Sequence, residues 1–145
     1  MPKSYKLHVI TPSKMFYEGA VEMVIVKTPS GEEGFMANHA WACKLLDTGP
    51  LWIQEAGQKD FKSAAISGGF IDVMEDIIIY TDTAEWHTDI DTDRAKNTQL
   101  EAEKWLTENK NNAESVDQII EVKDVIKRQE VRVKIAKAKG ERRGK

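Results

Sequence analysis

The chain has 145 residues, enough for one domain with an appendage but not for two full domains. Its 21 Lys and Arg against 24 Asp and Glu give a formal net charge of −3, which excludes the overall basic excess of a dedicated nucleic-acid binder. The charge is uneven, because residues 127–145 are strongly basic. That end of the chain predicts an acidic partner or open solvent.

The cysteine count and the hydropathy indicate the cellular compartment in which the chain works. One cysteine, Cys43, excludes an intramolecular disulfide, and the chain opens without the pattern of a secretory signal, so we expect a reducing compartment. Apolar runs such as residues 77–80 are far shorter than the roughly 18 residues of a membrane span. We therefore expect contact with a membrane only through another subunit.

The sequence pattern predicts β-strands in the first part of the chain, over residues 5–81. Short alternating or β-branched segments are separated by Gly, Pro, Ser and Asp, a spacing typical of two antiparallel sheets packed as a sandwich or flattened barrel. The predicted strands span residues 5–10, 15–17, 22–27, 34–36, 44–46, 51–54, 61–66, 70–73 and 77–81.

The periodicity becomes helical near residue 89. Asp89 or Asp91 is placed to cap a first helix, and a second helix follows a polar run at residues 107–114. The predicted inward positions are Ala95, Thr98, Ala102, Trp105 and Leu106, then Ile119, Val122, Ile126, Val133 and Ala136. The fold class is thus mainly β plus α: a sandwich domain over residues 1–86 and an antiparallel two-helix hairpin over 87–145.

Catalytic and metal-binding motifs are missing. The glycines at 31 and 34 lack the lysine of a phosphate-binding loop, and Ser67 lacks one of the two glycines of a nucleophile elbow. His8, His39 and His87 lie on different predicted segments without ligand spacing. We predict no catalytic residue, no metal site and no required cofactor, and hence a chain that is not an enzyme by itself.

Several pieces taken together resemble a known family. In chain order they are Thr11-Pro12, Tyr17-Glu18-Gly19, Val21-Glu22-Met23-Val24, Ser30-Gly31-Glu32, His39, Ser67-Gly68-Gly69-Phe70, Thr81-Asp82-Thr83-Ala84-Glu85 and Ile90-Asp91-Thr92-Asp93-Arg94-Ala95. Their order and spacing resemble the epsilon subunit of bacterial F-type ATP synthases, over nearly the whole chain.

The resemblance implies a fold and a role. The fold would be a ten-stranded sandwich followed by a helical hairpin. The role would be a non-catalytic part of the central stalk, the rotor, which couples ion translocation to ATP synthesis. The implied partners are the gamma subunit, the ring of c subunits and the catalytic alpha/beta hexamer. The implied location is peripheral, at the cytoplasmic face of the bacterial plasma membrane.

The resemblance also implies contact residues for the c ring, namely Gly31, Glu32 and His39. The chain departs from the family here, since Met36-Ala37-Asn38-His39 stands where relatives usually carry Leu-Pro-Gly-His. The loss of Pro and Gly changes the turn chemistry, although Asn38 tolerates a positive φ.

A regulatory nucleotide site is implied as well. The matching positions for ATP are Glu85, Ile90, Asp91, Arg94, Ala95, Arg128 and Arg132. Arg94 and the two second-helix arginines could converge on a triphosphate and hold the hairpin closed. The alternative is that Asp91 only caps a helix and the arginines are solvated. A second departure is Leu100-Glu101, which stands where nucleotide-binding relatives tend to have a cation.

The resemblance further implies that the second helix can inhibit ATP hydrolysis. In an extended state it would present cations to the acidic segment of the beta subunit, as an electrostatic brake that ATP releases by stabilising the folded state. The cations are Lys127, Arg128, Arg132, Lys134, Lys137 and Lys139.

A second interpretation comes from another class. It is a free-standing sandwich module whose basic tail docks on acidic proteins or nucleic acid. It predicts a monomer that works without a partner, whereas the stalk interpretation predicts stable assembly with gamma and no nucleic acid.

Overall fold

A computed structural model of the chain describes residues 3–109 and 116–138. These residues form seven strands, one 3-10 turn and two helices. The strands are β1 (Tyr5–Ile10), β2 (Met15–Thr28), β3 (Gly31–Met36), β4 (Ala42–Glu55), β5 (Lys62–Val73), β6 (Ile77–Tyr80) and β7 (Ala84–Trp86). The 3-10 turn is His87–Asp89, and the helices are α1 (Thr92–Asn109) and α2 (Val116–Ala138).

Three long strands account for the difference between predicted and observed strand counts. Strands β2, β4 and β5 each unite two of the predicted segments, because the glycines, the polar residues and Pro50 between them bend the strand without ending it. Strand β7 is short, and the sequence pattern missed it. Seven strands therefore replace the nine that the pattern predicts.

The two halves of each long strand belong to different layers. One layer contains β1, β6 and residues 15–21, 42–46 and 69–73 of the long strands. The other contains β3, β7 and residues 21–28, 48–55 and 62–67. Each layer thus has five strand segments, which agrees with the ten-stranded sandwich that the resemblance implies.

The sandwich is a flattened barrel with one parallel pair. Strand β1 pairs antiparallel with β2 and parallel with β6, so the sheet closes on itself. The expectation of purely antiparallel sheets was wrong at this one pair: β6 follows β5 in a hairpin, which makes it run alongside β1. Closure removes the exposed edges that β1 and β6 would otherwise present.

Side chains from both layers meet in one apolar core. Alternate residues of β1, Tyr5, Leu7 and Val9, are buried, and Phe35, Leu51 and Ile71 are fully enclosed between the layers. This period of two is what a half-buried strand requires. The sandwich has a core of its own, separate from the surface that the helices cover.

The hairpin lies on the outside of the second layer. Ile25, Trp52, Phe61 and Ala65 of the sandwich pack against Ile90, at the entry to α1, and against α2. The most deeply buried α2 residue in this contact is Ile135, which is 1% exposed, and Val131 and Ala136 pack beside it. Neither helix in the described ranges is long and apolar enough to cross a membrane.

The predicted inward faces of the helices were partly right. In α1 the predicted stripe is confirmed, with Ala95 fully buried and the other four positions half-buried. In α2 the predicted positions are half-buried, but Gln129 and Ile135 are buried more deeply. The pattern missed them because Gln129 is polar and Ile135 lies beside the predicted stripe.

Candidate functional site: a cationic cleft under the hairpin

A cleft of about 450 Å³ opens where the hairpin meets the sandwich. Its volume falls in the usual range for small-molecule sites, roughly 300 to 1,000 Å³. The cleft is lined from β4, β5 and β7 of the sandwich and from both helices, by Thr48, Ala65, Ile66, Ser67, Thr83, Glu85, Arg94, Thr98, Arg128, Gln129, Val131 and Arg132.

The start of α1 sets the position of Arg94. The Oδ1 atom of Asp91 accepts a hydrogen bond from the backbone N–H of Arg94 at 3.0 Å, which is the geometry of an N-cap. Ile90 is packed against the sandwich, and Ala95 is fully buried. These contacts fix the first turn of α1, and the turn places Arg94 at the cleft.

Arg132 is held by two acceptors from different elements. Its Nη2 donates to Oε1 of Glu85 on β7 at 3.0 Å, and its Nη1 donates to Oε1 of Gln129 at 2.8 Å. The guanidinium is mostly enclosed, with 23% of the side chain exposed. Its Nε is buried and finds no hydrogen-bond acceptor among the described residues.

The cleft carries an excess of positive charge. Three guanidinium groups, of Arg94, Arg128 and Arg132, face one carboxylate, that of Glu85, for a net charge of +2. Within residues 3–109 and 116–138, Arg132 is the one of these arginines that forms a salt bridge. Hydroxyl groups of Thr48, Ser67, Thr83 and Thr98 complete the polar lining. This arrangement suits a multiply charged anion with further hydrogen-bonding groups.

Four of the seven predicted ATP positions meet in this cleft. Glu85, Arg94, Arg128 and Arg132 line it, although 47 residues separate Glu85 from Arg132. Ile90, Asp91 and Ala95 do not line it and instead anchor and cap α1. Glu101, whose charge argued against phosphate binding, is exposed and is not part of the lining.

Sequence reasoning missed several lining residues. Ser67 and Thr83 join β5 to the segment before β7, with their hydroxyl oxygens 2.6 Å apart. Thr98 was predicted as an inward position of α1 but not as a site residue, although it follows Arg94 by four residues. Gln129 precedes Arg132 by three residues, so helical spacing could have found it as well. The spacing carried no signal for Thr48, Ser67 and Thr83, because pairing of β4 with β5 sets Thr48 opposite Ser67, and hydrogen bonds join Thr83 to Ser67.

The three predicted c-ring residues lie at the two ends of β3. Gly31 and Glu32 begin β3, whereas His39 follows its other end. Asn38 has φ of 65°, so it takes the left-handed conformation expected of it. The His39 ring packs edge-on against Phe35, and its Nδ1 lies 2.8 Å from the Ala40 carbonyl. The structure thus places two of these residues at one end of β3 and His39 at the other.

The predicted inhibitory cations have different environments. Lys127, Arg128 and Lys134 are exposed on α2, whereas Arg132 is turned toward Glu85. Lys139 lies outside the described residues, and so does the side chain of Lys137. The folded hairpin therefore withholds Arg132 while leaving three cations accessible.

The first layer of the sandwich carries an apolar outer surface. In the strand register Leu45 stands opposite Phe70, and Phe70 stands opposite Tyr80. Phe70 and Tyr80 stack with ring centroids 4.7 Å apart. All three are exposed, as are Trp41 and Met74 nearby, with Leu45 at 71% and Trp41 at 70%. We call these five residues the outer apolar face.

Comparison with known proteins bears on the identity of the chain. The family model for the ATP synthase Delta/Epsilon chain, beta-sandwich domain, matches residues 4–87. The ATP synthase epsilon chain of Caldanaerobacter subterraneus subsp. tengcongensis is 38% identical over 138 residues, which cover 94% of this chain and 96% of that one. The chain belongs to the ATP synthase epsilon-chain family. The epsilon chain of Alkaliphilus oremlandii is 42% identical over 108 residues, 74% of this chain and 79% of that one.

A solved structure shares the fold. It is a chain of the Euglena gracilis mitochondrial ATP synthase, OSCP/F1/c-ring, with a TM-score of 0.75 and 23% identity. The match covers 90% of this chain and 79% of that one. Membership of the epsilon-chain family makes the chain a non-catalytic subunit of ATP synthase and speaks against a free-standing module. In residues 3–109 and 116–138 no three potential metal ligands cluster.

Proposed function

We propose that the chain is a rotor subunit that docks on gamma and the c ring through its sandwich and regulates ATP hydrolysis through its hairpin. The observation that carries the regulatory part is the cationic cleft, which lies between the two parts of the molecule. A ligand in the cleft touches the sandwich and both helices at once, so its binding would favour the folded hairpin.

The outer apolar face is the proposed gamma contact. Monomeric proteins rarely expose contiguous apolar patches of this kind, and such patches mark protein–protein interfaces. The face lies on the layer opposite the one that the hairpin covers. Gamma could therefore remain bound there whether the hairpin is folded or extended, as a rotor subunit requires.

A pair of matched variants tests this contact. Leu45→Asp places a charge in the outer apolar face and should abolish co-purification with gamma. Ile120→Asp changes a similarly exposed aliphatic residue on α2, 57% exposed, and should leave co-purification unchanged. Equal recovery of gamma with both variants would contradict the proposed contact.

The ligand that the cleft supports best is ATP. A net charge of +2 and three guanidinium groups suit a triphosphate, and the hydroxyl lining suits a ribose and a base. The hairpin also needs such support. Helix α2 contains many β-branched residues, which lower its intrinsic stability, and its apolar contact with the sandwich is small.

The proposed inhibition follows from release of the hairpin. When α2 leaves the sandwich, Arg132 joins Lys127, Arg128 and Lys134 on an open helix, and this cationic surface would engage the acidic segment of beta. ATP in the cleft would keep Arg132 in place and so relieve inhibition. At the membrane, residues Gly31, Glu32 and His39 remain the proposed c-ring contacts, and the subunit would be peripheral, at the cytoplasmic face of the plasma membrane.

Hydrolysis by the assembled ATP synthase tests the regulatory part. A complex with the full chain should hydrolyse ATP more slowly than one with a chain ending at Trp86, and the difference should shrink as ATP rises. A matched complex carrying Arg128→Ala and Arg132→Ala should lose this dependence on ATP. Equal rates with full and shortened chains at every ATP concentration would exclude inhibition by the hairpin.

A further inference from the structure

Gln129 is a buried polar residue on a helix face that is otherwise used for packing. It is 8% exposed and lies in α2 among half-buried aliphatic neighbours such as Ile126 and Val133. A buried amide is tolerated when it forms hydrogen bonds, and an aliphatic residue of the same size would pack at least as well. We therefore expect the side-chain amide of Gln129 to serve a role other than packing.

That role involves Arg132. Oε1 of Gln129 accepts from Nη1 at 2.8 Å, while Glu85 accepts from Nη2 on the neighbouring nitrogen. Two acceptors on two nitrogens fix both the position and the rotation of the planar guanidinium. With Glu85 alone, the group could rotate about a single contact.

The fixed guanidinium has a hydrogen-bond donor without an acceptor among the described residues. Its Nε is buried and lacks an acceptor in the described part of the chain, and an unpaired buried N–H raises the free energy of the folded state. Gln129 and Glu85 together hold the group in this arrangement next to Arg94 and Arg128. A phosphate oxygen entering the cleft would therefore meet an arginine that is already oriented.

We propose that Gln129 is a positioning residue, which together with Glu85 orients Arg132 for the phosphates of a nucleotide. This inference rests on the proposed function, since it concerns the same cleft. It adds a residue that the motifs resembling the epsilon-chain family did not indicate. Gln129 acts through Arg132 and needs no contact with the ligand.

The test compares Gln129→Met with Gln118→Met in the full-length chain. Met has a similar length to Gln but no strong acceptor, so it removes the hydrogen bond while filling the space. Gln118 is exposed on the same helix and lies outside the cleft, so it controls for the substitution itself. ATP affinity is measured by calorimetric titration, and the Arg132 Nε–H signal is followed by nitrogen NMR.

The expected result has two parts. Gln129→Met should weaken ATP binding about tenfold, which corresponds to the loss of one hydrogen bond to a charged group. The Arg132 Nε–H signal should move toward that of solvated arginines, a change that packing alone would not produce. Gln118→Met should alter neither quantity.

Two outcomes would overturn the inference. If the parent chain binds ATP and Gln129→Met binds it equally well, Gln129 does not position Arg132, and the nucleotide site stands without it. If the parent chain binds no ATP, the proposed nucleotide site fails first and this inference fails with it. A thermal unfolding curve of Gln129→Met, expected close to that of the parent, excludes general unfolding as the cause of weaker binding.

Discussion

Nη2 of Arg132 on α2 lies 3.0 Å from Oε1 of Glu85 on β7, and this salt bridge joins the hairpin to the sandwich. Both side chains are about one-quarter to one-third exposed, so water screens the pair only in part. The contact holds one cleft arginine against the sandwich and adds an ion pair to the apolar contact that Ile135 makes there.

Glu85→Gln should loosen the hairpin in the absence of nucleotide. The substitution leaves Arg132 enclosed without an opposite charge, which raises the free energy of the folded arrangement. We expect faster amide hydrogen exchange throughout α2, with exchange in β1 and β4 unchanged. Glu101→Gln removes an equally charged but exposed side chain outside the cleft and should have no effect on α2. Similar exchange in both variants would show that the salt bridge does not hold the hairpin.

Ile135→Ala should release the end of α2. Ile135 is the α2 side chain that is fully buried against the sandwich, and truncation of such a residue typically costs about 2 to 5 kcal/mol. We expect α2 to exchange its amides nearly as fast as an isolated helix, while the separate core of the sandwich stays protected. Ile120→Ala at an exposed position should change stability by less than about 0.5 kcal/mol. Equal protection of α2 in the two variants would contradict this packing role.

Gly69→Ala should destabilise the sandwich strongly, whereas Gly57→Ala should not. Both glycines have positive φ, 116° and 81°, so both substitutions introduce backbone strain of about 1 to 3 kcal/mol. At Gly69 a Cβ atom would also lie 1.8 Å from the carbonyl oxygen of Tyr80, while at Gly57 nothing lies within 4 Å. Thermal unfolding measures the difference. A similar loss in both variants would mean that the close approach of β5 and the end of β6 does not decide stability.

Glu55 should contribute to acid unfolding. Lys62 and the hydroxyl of Tyr17 hydrogen-bond its carboxylate and hold its pKa below the ordinary value of 4.5. A lowered pKa in the folded state means that this contribution is complete above pH 4.5 and disappears as pH falls through the folded pKa. Glu55→Gln should therefore be less stable than the parent at pH 7, and the difference should shrink as the pH falls below 4.5. Urea unfolding at several pH values measures this, and a difference independent of pH would refute it.

Tyr17, the partner of Glu55, should titrate at a higher pH than an exposed tyrosine. Burial, first, and the hydrogen bond to Glu55 raise the pKa of its phenol. A raised pKa gives stability that is present below the ordinary value near 10 and is lost as pH rises above it. The phenolate absorbance should therefore appear only together with unfolding. Titration of Tyr17 near pH 10 in the folded protein, observed against Tyr17→Phe, would contradict this account.

The alternation of short β-branched segments predicted the sandwich, and helical spacing predicted both helices. The continuity of the long strands could not be predicted. Gly49 and Pro50 predict a turn between two strands, yet β4 is one strand from Ala42 to Glu55. Here tertiary pairing with β5 overrides local turn preference. The parallel pairing of β1 with β6 also depends on closure of the whole sheet, which no local pattern encodes.

The site was predictable where a motif or a helix carried it. Glu85, Arg94, Arg128 and Arg132 all came from the resemblance, and the i, i+4 spacing added only that Arg128 and Arg132 share one face of α2. Gln129 was missed because a polar residue in a helix is normally predicted to be exposed, whereas Gln129 is buried. Thr48 and Ser67 were missed because only strand pairing brings them beneath the hairpin.

The central claim is that a nucleotide binds in the cleft through its arginines and holds the hairpin on the sandwich. The most direct test is calorimetric titration of ATP into the full chain, beside Arg128→Ala/Arg132→Ala and beside Lys123→Ala/Lys127→Ala. The second double variant removes the same charge from exposed positions of α2 outside the cleft. We predict saturable binding by the parent and by the lysine variant, and none by the arginine variant. Absence of binding by the parent at millimolar ATP, or equal weakening in both double variants, would contradict the claim.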